Sequence, residues 1–239
     1  MKKNTTVWIL LLLMTAMLLT GCVFRFDAAG EDTADRAQVT EMPTPAPTPP
    51  PALTPTPEPT PEPQDDELVT VMDYIPTVFV ELRYATTDNF TGQVIYDFTE
   101  AKLRYGTVKK LARVQESLLK QGYSLKIWDA FRPVSAQYRL WEVCPNGTYV
   151  ANPNTGYSAH SRGNTIDLTL VRSDGTEIPM PSGFDEFSAL ADRDYSDVSH
   201  SASENARLLE AAMQAGGFVA YSAEWWHYRD STVYDVVLN

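Results

Sequence analysis

Histidine is scarce in this chain: His160, His200 and His227 are the only three in 239 residues. Cysteine is scarcer, with Cys22 and Cys144 alone, so at most one disulfide could form and none if Cys22 is otherwise engaged. The domain must then rest on its apolar core, helped by a metal, and not on covalent staples. Cations also fall short, with 19 Lys and Arg against 31 Asp and Glu and a net charge of −12. With no basic stripe, the electrostatics exclude nucleic acid and an anionic membrane surface as partners. Internal repeats are absent. Long apolar runs are absent too, except for Val7–Leu19, whose 13 residues fall short of the about 20 that span a bilayer.

That short run reads as an export signal, with Lys2 and Lys3 before it as the positive region. It ends in Leu19-Thr20-Gly21-Cys22, which resembles a bacterial lipobox with Cys22 as the lipidated first residue of the mature protein. An ordinary signal peptide or an uncleaved anchor are the alternatives, and all three deliver the domain outside the cytoplasm. The expectation is residues 1–22 as a lipoprotein signal, with the protein on the outer face of the cytoplasmic membrane through its lipid, or secreted. Residues 23–66 read as a disordered linker. Between 43 and 63 lie eleven of the 17 prolines, interleaved with Thr and Glu, a composition that favours extended polyproline II and cannot bury a core.

Residues 67–239, about 170 in number, suffice for one domain with a sizeable core. Extended backbone is expected around Val78–Arg83. Helical spacing of Leu103, Val108, Leu111, Val114 and Leu118 predicts a helix over Ala101–Gln121, closed by Gly122. Strands are expected at Ser124–Asp129, Ile166–Val171, Phe218–Tyr221 and Trp225–Tyr228, with helices at Val134–Val143 and Ala202–Ala215. Strands and helices mixed without a regular βαβ rhythm argue an α+β domain.

Three short segments carry chemistry: Asp129-Ala-Phe-Arg132-Pro133, Ser158 to Asp167, and Glu224-Trp-Trp-His227. His160 and His227 each lie close to an acid. Two imidazoles and a carboxylate suit zinc and leave a position open for water, which a nearby acid such as Glu224 could deprotonate. His160 and Asp167 are seven apart, so a flat strand would place them on opposite faces. Gly163 lets the chain turn, which puts His160 on a loop and Asp167 in the strand. Glu224 and His227, three apart, meet on one side only at a helical turn or a bent strand end. Trp225 and Trp226 would then wall the site against water, or serve as core aromatics. Arg132, held extended by Pro133, could reach an oxyanion or a terminal carboxylate. Cys144 lacks ligand-type neighbours and reads as a half-buried structural thiol.

Five segments together, YATTDNFTG (84–92), WDAFRP (128–133), SAHSRGNTIDLTL (158–170), FDEF (184–187) and EWWHY (224–228), resemble the D-alanyl-D-alanine dipeptidases of the zinc DD-peptidase family. They run in family order across nearly all of 67–239, and YAT-x-DNFTG points to the dipeptidase branch. Thr165 departs from the usual Ala. The resemblance implies a zinc DD-peptidase/hedgehog-like fold, a single α+β domain with a central, mainly antiparallel sheet flanked by helices. It implies a zinc cofactor, one per chain, held by His160, Asp167 and His227, with Glu224 as general base and then proton shuttle. Arg132 would stabilise the tetrahedral intermediate, Asp185 would pair with the substrate ammonium, and Ser158 would hydrogen-bond substrate. Tyr84 and Phe131 would line the pocket. His200 has no place among the ligands and reads as structural or supporting. The implied partner is a small D,D-dipeptide, with no obligate protein partner. An exported enzyme meets that dipeptide only outside the cell, which points to scavenging or wall turnover. A DD-carboxypeptidase trimming peptidoglycan stems, or a zinc-retaining binding module, are the alternatives.

Overall fold

A computed structural model describes residues 61–238. The expected signal segment, Cys22 and the linker up to residue 60 lie outside the described residues. In chain order the elements are β1 (Leu68–Thr70), α1 (Val71–Tyr74), β2 (Phe79–Val80), β3 (Lys102–Arg104), α2 (Tyr105–Leu119), β4 (Tyr123–Asp129), α3 (Val134–Val143), β5 (Thr165–Arg172), α4 (His200–Ala215), β6 (Phe218–Tyr221) and β7 (Glu224–Asp230). Five strands form one sheet in the order β2-β4-β5-β7-β6, while β1 and β3 pair separately. Every neighbour pair in the larger sheet is antiparallel except β2 with β4. The architecture is α+β, a central and mainly antiparallel sheet flanked by helices. Among the described residues, no helix is long and apolar enough to cross a membrane.

Helix α2 buries Val108, Leu111, Val114 and Leu118 at helical spacing, each stabilising by about 1.5–3 kcal/mol relative to exposure. Its only long polar side chain in the core, Gln115, is fully satisfied: its amide donates to Thr77 O and Ser124 Oγ, and its oxygen accepts from Leu125 N. Gly122, at φ +81°, turns the chain out of the helix into β4. The helix starts later than its spacing predicts. Lys102–Arg104 is extended, because it pairs with β1 in the register Leu68↔Arg104 to Thr70↔Lys102. Extended backbone at Val78–Arg83 shortens to β2, and a 3₁₀ turn takes over at Arg83–Ala85. Helix α4 begins two residues before Ala202, where the Ser199 side chain accepts from Ala202 N at 3.2 Å. Contacts with the domain also begin before Glu67. The Tyr105 hydroxyl donates to Glu62 at 2.5 Å, and Gly106 N to Asp65 O at 3.0 Å.

Strand β5 is the middle of the sheet and is buried along all but its last residue. Helices α2 and α4 pack against the sheet, and Ile166, Leu168 and Leu170 of β5 alternate with Thr165, Asp167 and Thr169 on the opposite face. Two irregularities then decide what that opposite face carries. The β4–β5 register slips between Ile127 and Asp129, so Asp129 leaves the face of Leu125 and Ile127 and pairs with Asp167. The β6–β7 register slips between Ala220↔Tyr228 and Tyr221↔Glu224. In between, His227 pairs with Asp167. Asp129, Asp167 and His227 therefore stand side by side across three strands.

Gly163 separates His160 from this row. At φ +73° it adopts the left-handed conformation, and a Cβ there would lie 2.6 Å from Leu68 Cδ2. Both terms oppose any side chain. Gly163→Ala should destabilise the domain by about 1–3 kcal/mol, read as a lowered midpoint in thermal or urea unfolding. An unchanged midpoint would show that the turn is free to relax.

Candidate active site

Ser158 caps the 3₁₀ turn Ala159–Arg162 through its side chain, and that turn sets His160 beside β5. His160 Nδ1 lies 2.8 Å from Ala130 O. A carbonyl only accepts, so Nδ1 carries a proton, and Nε2 is the nitrogen left to face the carboxylate or a metal. His160 Nε2 faces Asp167 Oδ2 at 3.3 Å. On the other side, His227 Nδ1 lies 2.9 Å from Asp167 Oδ1 and 3.6 Å from a Glu224 carboxylate oxygen. The slipped register of β6 and β7 supplies the bent strand end that lets Glu224 and His227 share a side.

These groups fit a zinc ion. The ligand atoms of His160, Asp167 and His227 all lie within 4.8 Å of one another. Ligands held about 2.0–2.1 Å from a tetrahedral zinc stand roughly 3.3 Å apart, close to the 3.3 and 2.9 Å that separate Asp167 from His160 and from His227. The Ala130 carbonyl that orients His160 is the kind of outer support such ligands use. Burial would push the Asp167 carboxyl up, but the flanking imidazoles outweigh it and hold it well below the usual range. It stands ionised and ready to ligate.

The site opens into a cavity of about 550 Å³ lined by Tyr84, Arg132, Ser158, His160, Asp167, Asp185, Glu224 and His227, among others. Arg132 is held from behind. Its Nε and Nη2 donate to Asp129 Oδ2 at 3.1 and 2.5 Å, and its Nη1 to Gln137 Oε1 at 2.9 Å. Of its five N–H groups, one on each terminal nitrogen stays free. Asp129 is fully buried and also accepts from the Tyr96 hydroxyl at 2.6 Å. The cavity is also lined by Asp185, at φ +52°, whose carboxylate accepts from the Tyr84 hydroxyl at 2.6 Å. Burial pushes the Asp185 carboxyl up to about 8, with the negative charges of Asp167 and Glu224 adding to it. Burial likewise raises Glu224, again reinforced by Asp167.

A sequence profile of the peptidase M15 family, described as D-ala-D-ala dipeptidase, matches residues 64–235. The chain belongs to this family. It is 40% identical over 162 residues to a D-alanyl-D-alanine dipeptidase of Escherichia coli K12, covering 68% of this chain and 83% of that one. A protein of the same name from Enterococcus faecium is 36% identical, over 62% of this chain and 83% of its own. Another from Streptomyces coelicolor is 34% identical, over 68% and 88%.

Eight of the nine residues that the resemblance to this peptidase family singled out within 67–239 line one cavity: Glu224, Arg132, Asp185, Ser158, Tyr84, His160, Asp167 and His227. Phe131 does not; it is buried outside the cavity lining, its backbone N donating to Lys102 O. Trp225 and Trp226 are core residues and not cavity walls. They pack on Trp128 and Phe184, with ring centroids 5.7 and 6.0 Å apart. His200 is exposed at the start of α4, 3.2 Å from Glu204, and supports nothing in the site. Cys144 is a free, half-buried thiol after α3, as expected. Asp129 was missed. Its signal was available, since an acid three residues before Arg132 in a segment already singled out can hold that guanidinium.

Asp185 yields a test. In the folded, metal-free chain it keeps its proton to about pH 8, whereas an ordinary Asp loses it at 3.8. Between those values the folded state binds the extra proton, so this residue lowers stability as pH rises through the window. Asp185→Asn stays neutral throughout. Its melting temperature relative to wild type should climb from pH 5 to pH 9. A gap that stays flat across this range would mean that Asp185 ionises normally.

Proposed function

We propose that this chain hydrolyses D-Ala-D-Ala, or a close D,D-dipeptide, to free D-amino acids, with one zinc ion held by His160, Asp167 and His227. The observation that carries this reading is the buried Asp185 carboxylate in the same cavity as that ligand set. The names of the relatives supply the D-alanine stereochemistry. When bound, zinc supplies a Lewis acid that polarises the scissile carbonyl and acidifies water.

The chain's own residues supply the rest. Glu224, with its affinity for protons raised by burial, takes a proton from the attacking water and delivers it to the leaving amine. The two free N–H groups of Arg132 meet the charge that develops on the carbonyl oxygen. Because Asp129, Tyr96 and Gln137 already hold the guanidinium, little reorganisation is needed at that moment. Asp185 receives the substrate ammonium and releases its own proton to solvent as it does so. Ser158 Oγ accepts from His160 N at 3.3 Å, which leaves its hydroxyl proton for the substrate. A chain extended at the amino end would place an amide where the ammonium belongs and would leave Asp185 unmatched.

We further infer export as a lipoprotein anchored through Cys22 to the outer face of the cytoplasmic membrane. Lys2-Lys3, the apolar run Val7–Leu19 and the Leu19-Thr-Gly-Cys22 signature support this. The dipeptide met there comes from wall turnover or the medium, so the activity serves scavenging or wall metabolism.

Glu224→Gln keeps the size of the side chain and removes the base. Its kcat should fall by about 10² to 10⁴ with zinc still bound; loss of the metal would make Glu224 a ligand instead. The substrate class is tested by acetylating the amine of D-Ala-D-Ala. Losing a charge-assisted hydrogen bond costs roughly 1.5–3 kcal/mol, or about ten- to a hundredfold in kcat/KM. Asp185→Ala should harm the free dipeptide to the same degree and the acetylated one little. Cleavage of acetylated dipeptide or a stem pentapeptide at least as well as free dipeptide would make the protein a carboxypeptidase.

A further inference from the structure

The bend that brings Glu224 and His227 together is gripped from behind by one side chain. Arg193 follows the 3₁₀ turn Ala189–Ala191 and precedes α4. Its side chain is only 10% exposed, and it does not line the cavity. Nε donates to Tyr221 O at 2.7 Å, and Nη2 to both Glu224 O and His227 O at 3.1 Å. Nη1 donates to the hydroxyls of Tyr228 and Tyr195 at 3.1 and 3.3 Å, and lies 3.3 Å from the Glu210 carboxylate. The guanidinium also lies over the Tyr228 ring, 4.5 Å from its centroid. The backbone joins in, with Arg193 N donating to Ser222 O at 3.3 Å.

The three carbonyls fall where the β6–β7 ladder breaks. A register slip leaves backbone groups without ladder partners, and a buried carbonyl without a donor is costly. A rigid fork of five N–H groups can serve three carbonyls spread over seven residues, whereas an ammonium on a flexible stem cannot. Two of these carbonyls belong to the residues that bear the base and a metal ligand.

We propose that Arg193 is a positioning residue of this peptidase, holding the 221–227 bend in the shape that aims the Glu224 carboxylate and His227 Nδ1 into the cavity. It touches neither substrate nor reacting atoms. The role assigned to Glu224 rests on the dipeptidase reading, while that of His227 rests only on the metal site.

The test uses the full chain with Arg193→Ala, Arg193→Lys and, as a control, Glu210→Gln. The control removes the outer ion pair and leaves the three carbonyls gripped. Zinc affinity is measured by competition with a chelating dye, and turnover of D-Ala-D-Ala at saturating zinc. Loss of such outer support costs metal sites about 10- to 100-fold in affinity or activity. Both Arg193 variants should lose kcat and zinc affinity in that range, with KM nearly unchanged, and Glu210→Gln should keep both. Millimolar guanidinium should restore part of the kcat of Arg193→Ala but not of Arg193→Lys. If the alanine variant does not fold, the lysine variant decides alone. Wild-type kcat and zinc affinity in a folded Arg193 variant, or equal losses in Glu210→Gln, would overturn the proposal. A wild-type protein that cleaves no D,D-dipeptide would sink the functional reading. Zinc affinity would then decide the role of Arg193 by itself, an unchanged value counting against it.

Discussion

Asp167 sits on the middle strand with an imidazole on each side of its carboxylate, and the rest of the structure is arranged around that placement. A carboxylate buried at the centre of a sheet is costly unless it is paired. Here His160 arrives from a turn and His227 from the neighbouring strand, each within 3.3 Å. The first arrival needs a left-handed glycine, the second only the in-register pairing of β7 with β5, while a slip between β6 and β7 brings Glu224 alongside. The irregular features of the backbone are thus concentrated where charge must be matched, while α2 and α4 and the apolar face of β5 keep regular geometry.

Beyond the metal ligands, the cavity holds each of its two other ionisable anchors by a dedicated partner. Arg132 is fixed by Asp129 and Gln137, and Asp185 by Tyr84, whose ring also lies 5.0 Å from the Arg132 guanidinium carbon. Low dielectric surroundings make each pairing stronger, and each mismatch more expensive, than it would be in water.

Residue identity and spacing made much of this legible. The helical row of α2, the strands β4 and β5, and two histidines beside acids could all be read along the chain. What could not be read depends on neighbours distant in sequence. Lys102–Arg104 has a helical pattern but pairs with β1, since an available strand partner overrides local preference. Trp225 and Trp226 flank site residues yet turn into the core, because the slip that aims Glu224 and His227 inward rotates the residues between them away. The slip at Trp128 that delivers Asp129 to the site leaves no mark in composition. Arg193 was invisible for the same reason: its partners are backbone carbonyls, which every residue possesses.

The three ligands differ in how firmly the fold restrains them. Asp167 belongs to a strand bonded on both sides, where backbone opening requires nearly global unfolding. His227 lies one strand nearer the edge, at the end of its pairing with β5 and beside a break in its pairing with β6. His160 stands on a single short turn. The fold thus restrains the carboxylate more tightly than either imidazole: Asp167 moves only with the sheet, while His227 and His160 sit where a strand end and a turn can open locally.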